Sequence, residues 1–179
     1  KAKSTQNITK FVHLEVHRTK DYIKLNQESM IKKLGIEYGL CGKALTPMSE
    51  NFKWKEKSNK MELRKVQKIK GELNYISLHS RADISFAVNK LSRAVSTSTK
   101  EVFKAEKRVL DYLVRTSHYG IIIPAVPNTN TVDTIFFSDS SFADISEDKM
   151  KSTGSFAQYM DGVFTGWKSK KLPWVCTHP

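Results

Sequence analysis

Hydrophobic and polar residues change their period twice along this chain. Phe11-Val12-His13-Leu14-Glu15-Val16 alternates as a strand does, and Tyr22-Ile23-Lys24-Leu25 follows the turn-like Thr19-Lys20-Asp21, so a β-hairpin is predicted. Asn26 stands where an N-cap belongs. Behind it Met30, Ile31 and Leu34 share one helical face, and Gly39 ends that helix. Residues 40–60 carry Gly42, Pro47, Ser49, Asn51 and Ser58 among many lysines, with no apolar period, and read as a loop. Helical spacing returns over 61–79, where Leu63, Val66, Ile69, Leu73 and Ile76 recur every three or four residues around an unfavourable Gly71. Asp83 is placed to cap the next helix, with Phe86, Ala87, Val88, Leu91 and Val95 as its stripe. Ser98 and Glu101 make a capping box for a further helix, apolar at Val102, Phe103, Val109, Leu110, Leu113 and Val114.

After Gly120 the period shortens to two. Gly120–Ile123 reads as a short strand ending at Pro124, and the polar residues up to 131 as a linker. Ile135-Phe136-Phe137-Ser138-Asp139 is a strand running into a carboxylate. Ser155–Met160 and Val163–Trp167 are two more strands, joined by the hairpin signal Asp161-Gly162. The pattern predicts an α+β fold: a β-hairpin, a helical region, then a three-stranded antiparallel sheet. No helix follows those strands, so an open edge and one uncovered face are expected, both aggregation liabilities.

At 39% apolar the chain can bury a core. Cys41 and Cys176 have no zinc spacing and form no disulfide framework, which fits a reducing compartment, cytoplasmic or nuclear. No apolar run approaches a membrane span, and the polar start at Lys1 is not a signal peptide. The net charge of +12 is concentrated: residues 1–120 hold 25 lysines and arginines against 12 acids, and residues 121–179 hold 5 against 6. Such an excess attracts phosphate backbones, although lysine-rich helix faces are also simply solvated.

Few residues offer chemistry. Asp139, at a strand end, suits a divalent metal, but phosphodiester hydrolysis needs two or more carboxylates from different elements. Asp144 is only a loop neighbour, and Glu147 and Asp148 read as exposed; Asp139 alone also fits a turn or cap. Trp167-Lys168-Ser169-Lys170-Lys171 joins an aromatic to three cations, as single-strand binders do, and equally fits a core tryptophan beside surface lysines. The five histidines share no metal spacing, and no phosphate loop, nucleophile elbow or Cys–His pairing is present.

Nine stretches in order resemble the reverse transcriptase–RNase H part of the Pol polyprotein of copia-type LTR retrotransposons. Phe11–Val16 resembles that family's Phe-Leu-Gly-Ile-Glu-Val strand. Lys24–Gln27 with Ile31 to Gly39 resembles its "LSQ…YI…L..FGM", and Thr46-Pro47-Met48 its "TPM". Gly71–Ser77 with Arg81–Arg93 resembles "GKLNYLS..TRPDIAFAVNKLSR"; Lys104–Leu113 resembles "KAAKRVLRYL", and His118-Tyr119-Gly120 "DYGL". Ser138–Ala143 resembles "SDADWA", Lys151–Gly154 "KSTSG", and Trp167–Lys171 "WKSKKQ".

The resemblance implies an RNA-directed DNA polymerase with RNase H activity, using magnesium on RNA–DNA hybrid or duplex nucleic acid. Residues 1–120 would correspond to the palm end, thumb and connection, 121–131 to a linker, and 132–179 to a truncated RNase H-like domain with an aberrant tail. Asp139 would be that domain's first metal-binding aspartate, here vestigial. Lys104, Lys107, Arg108, Lys168, Lys170 and Lys171 would contact nucleic acid. The family's polymerase aspartates lie upstream of residue 1. Its next RNase H glutamate follows "WKSKKQ", where this chain reads Leu172-Pro173-Trp174-Val175-Cys176-Thr177-His178-Pro179. His13 replaces a glycine, Ala82 a proline, Ser141 an aspartate and Leu172 a glutamine, and one residue is missing around Ser152–Gly154. The expectation is a fragment or decayed remnant of Pol without catalysis, or a basic nucleic-acid-binding module.

Overall fold

The computed structural model describes residues 8–50, 52–53, 63–94, 100–125, 132–141 and 152–173. Its helices and two antiparallel sheets make an α+β fold. The strand predicted over 11–16 is two strands, β1 (Lys10–Phe11) and β2 (Leu14–Arg18). They pair Phe11 with Leu14, which leaves Val12 and His13 as a two-residue turn with φ of 44° and 63°. Left-handed backbone at both central positions is the hairpin geometry that Asn-Gly or Asp-Gly fills easily, whereas a β-branched valine and a histidine fill it under strain. The turn is held from outside, where the Tyr75 hydroxyl donates to the Val12 carbonyl and His13 packs edge-on against the Tyr75 ring.

The hairpin continues into β3 (Tyr22–Asn26), and α1 (Glu28–Glu37) follows. Asn26 is not the cap. It is the last, buried residue of β3, and Gln27 takes the cap position without a side-chain capping bond, its amide oxygen accepting the Ser80 hydroxyl instead. Glu15 of β2 serves instead, accepting the Ser29 N–H at 2.8 Å and placing an anion at the helix start. Gly39 ends the helix at φ 62°, and the Leu40 N–H returns to the Gly35 carbonyl at 2.8 Å.

Next come α2 (Leu63–His79), a 3-10 turn (Ala82–Ile84), α3 (Ser85–Ala94) and α4 (Lys100–Arg115). Their stripes close on one another around Ile31, Val66, Ile69, Leu73, Ile76, Leu91, Val109 and Leu113. Leu63 and Phe86, placed on those stripes by spacing, stay about half exposed. Val95 and Ser98 lie outside the described residues, and the predicted capping box with them. Asp83 does not cap α3. Its carboxylate binds the buried Arg81 through two bonds, 3.0 and 2.8 Å, and accepts the Tyr112 hydroxyl at 2.8 Å. Arg81 also donates to the Thr116 carbonyl at 2.9 Å, tying the turn to the end of α4.

One core residue does not belong there. Glu106 lies on the stripe of Val102, Val109 and Leu113, is fully buried, and neither carboxylate oxygen has a hydrogen-bond partner. Burial pushes its pKa up to about 8, against a weaker opposing pull from Lys70.

β4 (Gly120–Pro124) pairs antiparallel with β3, completing a first sheet of order β1-β2-β3-β4. The first sheet therefore reaches Pro124, and the connection starts at Ala125 rather than at 121. The second sheet is a meander of β5 (Thr134–Ser141), β6 (Thr153–Met160) and β7 (Val163–Lys171). Asp161-Gly162 makes the predicted turn, with φ of 49° and 76°. The sheet is not bare on both faces. The Trp167 indole N–H donates to the Ser77 carbonyl at 2.8 Å, Asn89 to the Ser169 carbonyl at 3.0 Å, and Arg93 to the Thr153 hydroxyl at 2.6 Å. Strands β6 and β7 thus dock on α2 and α3, while β5 overhangs with all eight residues exposed. Among the described residues no helix is long and apolar enough to cross a membrane.

Candidate nucleic-acid interface

Residues 101, 104, 105, 108 and 111 of α4 fall three or four apart and so share one face. Against that face lies the loop after α1, fixed by Asp111. Its carboxylate accepts the backbone N–H groups of Gly42, Lys43 and Ala44, each at 2.8 Å. Burial alone would raise the Asp111 carboxyl, but these backbone bonds outweigh it and hold the group below its ordinary value. Arg108 donates to the Thr46 hydroxyl at 3.0 Å.

Between loop and helix is a cleft of about 770 Å³ with an apolar floor of Leu40, Ala44, Met48 and Phe52. Lys104, Lys107 and Arg108 line it, as do Lys43 and Lys53. The three helical cations singled out from the sequence are therefore brought together. The two loop lysines were missed, because the contact that recruits them joins residues 67 to 69 positions apart.

The cations of β7 separate. Lys168 pairs across the sheet with Phe156 and Lys170 with Gly154, so both point to the outer face and are exposed. Lys171 occupies an alternate position with Trp167 and Ser169, toward the helices. Trp167 stacks on Phe164 at 5.1 Å and donates to Ser77, so it is a packing residue rather than a partner of the exposed lysines. No described cleft is lined by both the α4 and the β7 cations.

Asp139 is exposed on β5 opposite Ser155, and its carboxylate accepts the neighbouring Ser140 N–H at 2.8 Å. It lines a cleft of about 570 Å³ between the sheet and α3, together with Asp83, Ser85, Phe86 and Ser169. Asp83 is committed elsewhere: burial would raise its carboxyl, but Arg81 and Tyr112 hold it below its ordinary value. Among the described residues no group of three or more His, Cys, Asp or Glu side chains can hold a metal ion. A divalent ion takes six or more oxygens, carboxylates prominent among them. Among the described residues this leaves Asp139 as a single carboxylate beside hydroxyls, which by itself does not fit magnesium. Asp144, Glu147, Asp148 and the tail from Trp174 lie outside the described residues.

No family model and no solved structure matches the chain. It is 36% identical over 103 residues to the retrovirus-related Pol polyprotein from transposon RE1 of Arabidopsis thaliana, covering 58% of this chain and 7% of that protein. The Pol polyprotein from transposon RE2 of the same plant is 35% identical over 103 residues, with the same coverage. Secreted RxLR effector protein 161 of Plasmopara viticola is 31% identical over 101 residues, 56% of this chain and 68% of that protein. The chain thus spans about 7% of the length of the polyproteins it matches. Over these 103 residues the chain is thus similar to a segment of retrovirus-related Pol polyproteins from plant transposons.

Proposed function

We propose that this Pol-derived segment grips RNA–DNA hybrid or duplex nucleic acid and performs no catalysis by itself. In this reading residues 1–120 are the palm end, thumb and connection of a reverse transcriptase, and 132–179 the start of an RNase H-like domain. The observation that carries it is the convergence of Lys43, Lys53, Lys104, Lys107 and Arg108 on one cleft. Five cations on a rigid helix–loop frame match successive phosphates, and counterion release supplies most of the affinity. Among the described residues no group of acids around Asp139 can hold a metal ion, whereas two-ion phosphodiester chemistry needs several carboxylates, which supports the lack of catalysis. In the parent enzyme magnesium would bind there with partner carboxylates and activate water. Decay is supported by His13 in a left-handed turn and by Glu106 in the core, where the family patterns carry glycine and alanine.

Fluorescence anisotropy of the chain with labelled RNA–DNA hybrid tests the binding half. Affinity should fall steeply with salt. The variant Lys104→Glu/Lys107→Glu/Arg108→Glu should bind at least about tenfold more weakly at low salt, with a salt slope flatter by about two to three. Unchanged binding by that variant overturns the assignment. Incubation with magnesium and hybrid should give neither primer extension nor RNA cleavage; turnover that disappears in Asp139→Asn overturns the non-catalytic half.

A further inference from the structure

We propose that the outer face of the β5–β7 sheet is a stacking platform for single-stranded nucleic acid, a site separate from the α4 cleft. Side chains alternate across a sheet, so cross-strand partners share a face. Ser138, Phe156 and Lys168 are in register, as are Ser140, Gly154 and Lys170. Phe136, two residues before Ser138, shares that face. The rings of Phe136 and Phe156 lie nearly parallel, 16° apart with centroids 5.3 Å apart, and Phe136 is 59% exposed. Lys168 and Lys170 stand beside them in solvent. Gly154 leaves a depression bordered by Leu172, and the shallow hollow over this face measures about 570 Å³. The one acid at its rim, Asp139, occupies an alternate position of β5, directed to the helix side.

This combination selects its ligand. The exposed Phe136 ring, backed by the half-buried Phe156, offers a flat apolar surface on which an unpaired base stacks. Two lysines at alternate positions of one strand, about 7 Å apart along it, match neighbouring phosphates. Duplex bases are already stacked and present no free faces, so a duplex gains only the charge contribution. A second copy of the chain is a poorer occupant: two rings are far from the roughly 1,200 Å² of a stable interface, and a net charge of +12 opposes self-association. The face lacks a fixed set of donors aimed at base edges, so binding should tolerate sequence and favour the better-stacking purines.

The proposal rests on the sheet alone, and its test separates it from the hybrid-binding reading. Labelled oligo-dA, oligo-dT and RNA–DNA hybrid are titrated with the full chain and three variants. Phe136→Ala should weaken oligo-dA binding by about tenfold and leave hybrid binding unchanged. Phe136→Trp should retain it, and Lys168→Glu/Lys170→Glu should abolish it. Phe136 is exposed, so these variants should melt as the parent does. The proposal is overturned if Phe136→Ala leaves single-strand affinity intact, or if only the α4 charge reversals weaken it. It is equally overturned if sedimentation shows a dimer that Phe136→Ala dissociates. Failure of hybrid binding alone would sink the α4 assignment and leave this one standing.

Discussion

Ile31, Val66, Ile69, Ile76, Val102 and Leu113 of the helical layer have lost all contact with solvent, whereas every residue of β5 keeps it. Both regions are rich in apolar residues, and their period makes the difference. A helix stripe is one-sided, so α1 to α4 can close on one another. Ile135-Phe136-Phe137 is apolar on both faces of a strand, so packing one face leaves the other bare. Stability is therefore concentrated in the helices, and adhesive surface in the sheet. Three side-chain hydrogen bonds hold the second region to the first, and an aromatic row of Phe137, Tyr159, Phe164 and Trp167 runs within the sheet itself.

The largest expected effect lies where the helical layer breaks its own rule. Glu106 has a folded pKa of about 8 against an ordinary 4.5. The folded chain holds a proton that the unfolded chain releases across that window, so stability falls as pH rises from about 4.5 to 8. Glu106→Ala should raise stability at pH 8 by about 3 kcal/mol and by much less at pH 5. Urea melts at the two pH values check this; an equal gain at both would show that the carboxylate is not the cause.

Next is the clamp that builds the α4 cleft. Asp111→Ala strips an acceptor from three backbone N–H groups and should cost about 2 kcal/mol. It should also weaken hybrid binding without touching a cleft cation, because Lys43 and Lys53 lose their placement. Thermal melts and anisotropy on the same variant read both effects, and intact binding would mean the loop holds its shape without Asp111. The smallest effect sharpens the comparison at the first sheet. His13→Gly relieves a left-handed φ of 63° and should add about 1 kcal/mol. A loss of stability in the melt would instead give the edge contact with Tyr75 more weight than the strain.

Much of this was legible in the sequence. The stripe Val66, Ile69, Leu73, Ile76 gives α2, the stripe Val102, Val109, Leu110, Leu113 gives α4, and Asp161-Gly162 gives the β6–β7 turn. Local chemistry suffices for these because their periods and turn residues agree. The Val12–His13 turn was hidden because neither residue signals a left-handed conformation. Asp83 was misread as a cap because its partners, Arg81 and Tyr112, are set by tertiary packing. Glu106 could have been found: it sits four residues after Val102 and three before Val109, on the face that must be buried. Lys43 and Lys53 could not, since long-range contacts from Asp111 and Arg108 place their loop against α4. The lysines of β7 were read as one run, although alternation sends Lys168 and Lys170 one way and Lys171 the other.

The most direct test of the central claim is backbone hydrogen exchange on the full chain with and without saturating RNA–DNA hybrid. The account predicts added protection in residues 39–53 and 100–111, with β5 to β7 unchanged. Protection confined to the β5–β7 sheet, or none in the α4 cleft at a concentration where hybrid is bound, would contradict it.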